Sequence, residues 1–153
     1  MDMTSAIKVC FRKYFDFKGR AARPEFWWFQ LFIILTTLCL SFLAIQETMR
    51  NSPIIEVCIF ILVFGTLLPS LAVMVRRLHD INLSGYWVIP YLILMFRDIV
   101  PLGISHHVPY VMSLSFHLLL IGYIGTGIYF LCKKGDAKIN QYGPPLTFEK
   151  DYA

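Results

Sequence analysis

The chain has 153 residues, 57% of them apolar and only 16% charged, against about 45–50% and about 25% in an ordinary globular domain. At this size roughly 30% of the extended-chain surface stays exposed after folding, and the charged side chains, with a mean hydropathy of +0.60, are too few to cover it, so the composition fits lipid as the solvent. It excludes a disordered chain, a disulfide-stapled secreted domain and a coiled coil.

In chain order, the first feature is Ile7–Phe17, where Ile7, Cys10, Phe11, Tyr14, Phe15 and Phe17 interleave with Lys8, Arg12 and Lys13. The i, i+3, i+4, i+7 spacing from Ile7 to Tyr14 predicts a short amphipathic helix on an anionic inner leaflet. A nucleic-acid-binding arm is the alternative, and the apolar stretch immediately behind it argues against nucleic acid. Crossing a hydrocarbon core of about 30 Å takes about 20 mainly apolar residues. Four windows of that kind follow, at 26–45, 53–75, 85–104 and 108–132. The third is cleanly apolar only from Gly85 to Phe96, before Arg97 and Asp98. Arg97 can reach the far interface along its stem; a re-entrant segment is the alternative.

The segments left between the windows are too short to fold alone. The prediction is therefore one all-α membrane domain over 1–153: a polytopic four-helix bundle with an N-terminal interfacial helix. The first window is longer than a signal-peptide core and no small-residue cleavage site follows it, so it should stay as an anchor.

Alternate sides of this topology carry twelve and two of the 14 Lys and Arg residues. The positive-inside rule then puts both termini and the Arg76–Ser84 loop in the cytoplasm. Phe26, Trp27, Trp28, Phe29, Tyr86, Trp87, Tyr129 and Phe130 all fall at the cytoplasmic ends, where half-wet aromatic rings collect.

Two strings stand out at that side. Phe17-Lys18-Gly19-Arg20-Ala21-Ala22-Arg23-Pro24-Glu25-Phe26-Trp27 leads into the first window. Gly19 permits a sharp turn, Pro24 suits the first helical position, and Glu25 favours the positive end of the helix dipole. Arg76-Arg77-Leu78-His79-Asp80, followed by Ser84-Gly85, closes the second window and opens the third. With a tail string running from Gly135 through Asn140 to Tyr142-Gly143-Pro144, these resemble the bacterial inner-membrane proteins grouped as domain of unknown function 805, also called YhaH-like. The resemblance covers nearly the whole chain and implies a small multi-span protein of the bacterial inner membrane without an assigned reaction. Position 22 departs from it, being Ala where Ser would complete a capping box with Glu25.

The chemistry reads in two places. Arg76, Arg77, His79 and Asp80, near Ser84 and Gly85 and joined by Arg20 and Arg23, make a candidate site for an anionic lipid headgroup or phosphorylated metabolite. Arginine forks match phosphate, and Gly85 at a helix start offers backbone N–H groups. On the plainer reading the arginines are topology signals, and Asp80 pairs with one of them and caps the third helix. Glu56 and His117, with Asp98 nearby, are intramembrane ionisable groups. They suggest a small transporter or channel subunit, against which stands the absence of several buried acids or an inverted repeat.

Gly122-x-x-x-Thr126 fits close helix packing within the bundle, or a homo-oligomer or membrane-protein partner. The four cysteines contain no C-x-x-C and are expected as free thiols. His106 and His107 with Asp98 do not present a preorganised metal site, and no nucleophile elbow, Walker loop or H-E-x-x-H occurs. No cofactor or metal is called for. The reading is a non-enzymatic membrane protein in contact with anionic lipid, with an enzyme acting through His79 and Asp80 placed third.

Overall fold

The computed structural model describes residues 1–47, 54–90, 92–93 and 122–146. Among them the elements are helical: α1 (Met3–Arg12), α2 (Arg23–Glu47), α3 (Ile54–Asp80) and α4 (Gly122–Cys132), with a 3₁₀ turn at Gly85–Val88. The one piece of β pairing among them is an isolated bridge between Asn140 and Gly143.

Two helices are long and apolar enough to cross a membrane, over Arg23–Leu43 and Val57–Asp80. The core helix of a soluble protein would be mostly buried, yet only 11% and 22% of these apolar windows are covered by the protein. Leu38, Phe42, Phe60 and Ile61 all face outward. α2 and α3 form the main packing pair, and α1 lies against both. Their shared core runs through Cys10, Ala21, Phe26, Phe29, Val73 and Leu78, and Val88 and Leu131 join it from the 3₁₀ turn and α4.

α1 begins and ends earlier than the apolar spacing predicts. Asp2 caps it, accepting from the Ser5 N–H at 3.3 Å, and the Lys13 N–H closes it on the Val9 carbonyl. Ala6, Val9 and Cys10 turn toward the protein. Residues 14–17 lie beyond the helix, and the Asp16 side chain accepts from the Lys18 N–H at 3.0 Å before Gly19 takes a left-handed φ of 77°. α2 starts at Arg23, three residues before the predicted window.

α3 also runs past its window, carrying Arg76, Arg77, His79 and Asp80 within the helix instead of in a loop. Its end is a Schellman motif. The Leu83 N–H donates to the Leu78 carbonyl and the Asn82 N–H to the His79 carbonyl, both at 3.0 Å. Asn82 supplies the left-handed residue, with φ 59°, a conformation that Asn tolerates better than most side chains. Ser84, not Asp80, caps the next turn, accepting from the Tyr86 N–H.

Of the predicted third window, residues 94–104 lie outside the described residues, with Arg97 and Asp98. So do His106, His107, His117 and the side chain of Glu56. Of the fourth window, the described part is α4.

Pro69 sits fully buried inside α3. Lacking an N–H, a proline leaves the carbonyl four residues earlier without its helical donor, which here is that of Gly65. The Tyr14 hydroxyl donates to the Gly65 carbonyl at 3.0 Å, so the segment after α1 satisfies the acceptor that Pro69 orphans. Tyr14→Phe is expected to cost about 1–2 kcal/mol. In a Pro69→Ala background, where residue 69 regains its N–H, the same change should cost much less. Unfolding in detergent of the two single variants and the double variant measures this coupling.

Candidate functional site

The polar end of α3 gathers all three sequence strings into one cluster. Asp80 is its centre. Its carboxylate accepts from Arg20 Nε at 2.8 Å and from Arg77 Nη1 at 2.5 Å, so one acid is shared by two guanidiniums. The remaining donors of Arg77 go to main-chain carbonyls at the end of α4: Nε to Leu131 at 3.0 Å and Nη2 to Lys133. Arg20 reaches the tail, donating Nη1 to the Lys138 carbonyl at 3.1 Å and Nη2 to the Asp136 carbonyl. The main chain follows the same route: the Ala21 N–H donates to the Arg76 carbonyl at 3.0 Å and the Asp136 N–H to that of Asp80 at 2.8 Å.

A second buried pair lies beside the first. Arg76 Nη1 donates to Glu25 Oε1 at 2.6 Å, with both side chains almost completely enclosed. Arg76 Nε and Nη2 have no hydrogen-bond partner among the described residues. Cys10 borders this pair. Burial, then the Glu25 charge, push its thiol up to about 12, against the opposing influence of Arg76.

His79 fastens the tail rather than working with Asp80. Its Nδ1 lies 3.2 Å from the Gly19 carbonyl, which can only accept, so Nδ1 carries a proton. Its ring stacks on Tyr142 with centroids 3.7 Å apart and planes 5° from parallel. Its carbonyl accepts from Asn140 Nδ2 at 2.9 Å. No acid–base dyad therefore forms with Asp80, whose carboxylate is taken by arginines.

Two glycines permit the close approach. A Cβ on Gly135 would overlap the Asp80 carboxylate, and one on Gly85 would lie 2.8 Å from Val75 Cγ1. Gly85 thus packs closely against α3.

Of the predicted site residues, Arg20, Arg76, Arg77, His79 and Asp80 come together and are buried, Ser84 and Gly85 flank them half-buried, and Arg23 is exposed. Residue spacing gives no hint of Glu25 as the partner of Arg76, since a first-turn acid reads equally as a dipole effect. Asn140 and Tyr142 are signalled only by their place in the tail string.

Two long apolar helices, mostly uncovered by the protein and locked at their polar ends by a buried charge cluster, fit a helical membrane protein. The chain belongs to the family described as Protein of unknown function (DUF805), which it matches over residues 14–144. It is similar to Inner membrane protein YhaH of Escherichia coli K12, 38% identical over 85 residues covering 54% of this chain and 68% of that protein. It is also similar to Inner membrane protein YhaI of the same strain, 25% identical over 137 residues covering 90% and 91%. No solved structure matches.

Removing one partner of a buried ion pair typically costs about 3–5 kcal/mol, because the other charge stays buried. Asp80→Ala should therefore lower stability by about that amount and release the tail, read as faster tryptic cleavage after Lys133, Lys134 and Lys138. Cys10, buried and with its thiol at about 12, should be alkylated by a maleimide at pH 8 at least about a hundredfold more slowly than exposed Cys132, as peptide mass mapping can measure.

Proposed function

We propose that this is a multi-pass inner-membrane protein with both termini in the cytoplasm. On this reading its charge-locked cap rests on the anionic inner leaflet, as a lipid-contacting or assembly component and not as a catalyst. The observation that carries the reading is the bridge from Arg77 to the Leu131 and Lys133 carbonyls. The chain leaves the cap after Asp80 and is back at it by Lys133, so any crossings in between must be even in number. α2 and α3 likewise leave from and return to the cap, which supports residues 1–22, 81–84 and 133–146 lying on one side. That agrees with the four-span pattern of the positive charges.

Contact with lipid is supported by what the cluster leaves outside. Lys8, Arg12, Lys18, Lys133, Lys134 and Lys138 are exposed, as are Phe11, Phe15, Trp27, Trp28 and Tyr129. Cations mixed with aromatic rings at the end of apolar helices suit an anionic interface. A non-catalytic role is supported by His79 and Asp80, whose polar atoms hold the tail and two arginines.

Reporter fusions test the topology. A fluorescent protein fused after Leu146 should fold and glow, and a periplasm-dependent phosphatase fused at Asn51 should be active. A dark fusion after Leu146, paired with an active phosphatase there, would overturn the reading.

A further inference from the structure

Each of the three buried arginines is paired with an acid inside the protein and enclosed by it, so a phosphate ligand has to be sought at the exposed edge of the cluster. A groove of about 800 Å³ opens beside it, between the start of α2 and the turn after α4. Sites for small ligands and headgroups occupy volumes of this order. Arg23 stands on one wall. It is exposed, and Nη1 makes a long contact of 3.4 Å with the Cys132 carbonyl, so most of its fork faces the opening. Lys134, also exposed, stands on the other wall.

The charge in this groove is favourable to an anion. Asp80 at the back is shared between Arg20 and Arg77, which leaves a surplus positive charge behind the groove. Arg23 and Lys134 add two, and the exposed carboxylate of Asp136 removes one. Trp27 and Trp28, 38% and 37% exposed, line the side toward the apolar part of α2, where indole rings pack on the glycerol and upper acyl region of a lipid.

We infer that this groove binds one phosphate-bearing anion, with Arg23 as a bidentate partner, Lys134 as a second point charge and the two tryptophans against its apolar body. The assignment rests on the cytoplasmic-interface reading for the source of the ligand, an inner-leaflet phospholipid; the shared chemistry with a soluble phosphate ester is the phosphate itself.

The test uses the full chain, purified in a neutral detergent, and its Arg23→Gln, Lys134→Gln double variant. Each is titrated with dioctanoyl phosphatidylglycerol, dioctanoyl phosphatidylcholine and inorganic phosphate, and bound lipid is counted by native mass spectrometry. The expected result is one phosphatidylglycerol bound at least about tenfold more tightly than phosphatidylcholine. The double variant should lose that preference while keeping its unfolding temperature, because both side chains lie outside the buried network. Displacement by inorganic phosphate at millimolar concentration identifies a site that also takes free phosphate. Binding of the lipid alone identifies a headgroup site. Equal affinities for the two lipids, or an unchanged preference in the double variant, overturn the assignment. Fusion reporters that still place both ends inside would then leave the topology standing without this site.

Discussion

Everything described at the polar end of this protein depends on one carboxylate held by two guanidiniums. Asp80 sits on the last turn of α3, and its two oxygens bring together Arg20 from the connection between α1 and α2 and Arg77 from its own helix. Such an arrangement is costly to bury and stable only when the remaining donors are also met. Here they are met by main-chain carbonyls at Leu131, Lys133, Asp136 and Lys138. The charge cluster therefore positions backbone as well as side chains, and it orders a tail that has little apolar surface of its own.

The surrounding chemistry follows from that constraint. Gly135 is required because Asp80 occupies the space a side chain would need. The Schellman end of α3 turns the chain away at once after Asp80, and the His79 carbonyl, which accepts from the Asn82 N–H within that motif, also accepts from Asn140. Glu25 and Arg76 form a second, more enclosed pair one turn deeper, so charge continues into the helix packing and registers α2 against α3. Arg23 and Lys134, with the exposed Lys8, Arg12, Lys18, Lys133 and Lys138, remain for contact with anything outside.

Apolar length and charge were enough to read a membrane protein, the two long helices and the gathering of cations at one end, because each depends on local composition. The three strings were visible as well, but their meaning was not. In sequence, Arg76 and Arg77 read as topology signals at a helix end, with Asp80 pairing with one of them, and that partner is Arg77; the fold adds that both are enclosed and that Arg76 is matched to Glu25, 51 residues away. His79 and Asp80 are neighbours in the chain, which invites an acid–base reading, yet consecutive positions on a helix point some 100° apart and these two meet different partners. The early start of α1 escaped the apolar spacing because it is set by a polar cap at Asp2.

The hydrogen bonds from Tyr14 to Gly65 and from Arg20 to Lys138 join residues 51 and 118 positions apart. During synthesis the amino-terminal segment leaves the ribosome long before either partner exists. Its tyrosine can dock only after α3 has been inserted, and Arg20 completes its set of acceptors only when the tail has emerged. The cap can therefore close only after residues 131–138 have been made. A tail that failed to reach it would leave Asp80 and its arginines without the main-chain partners that make their burial tolerable. The same contacts that hold the finished protein together thereby act as a check that its distant segments have met.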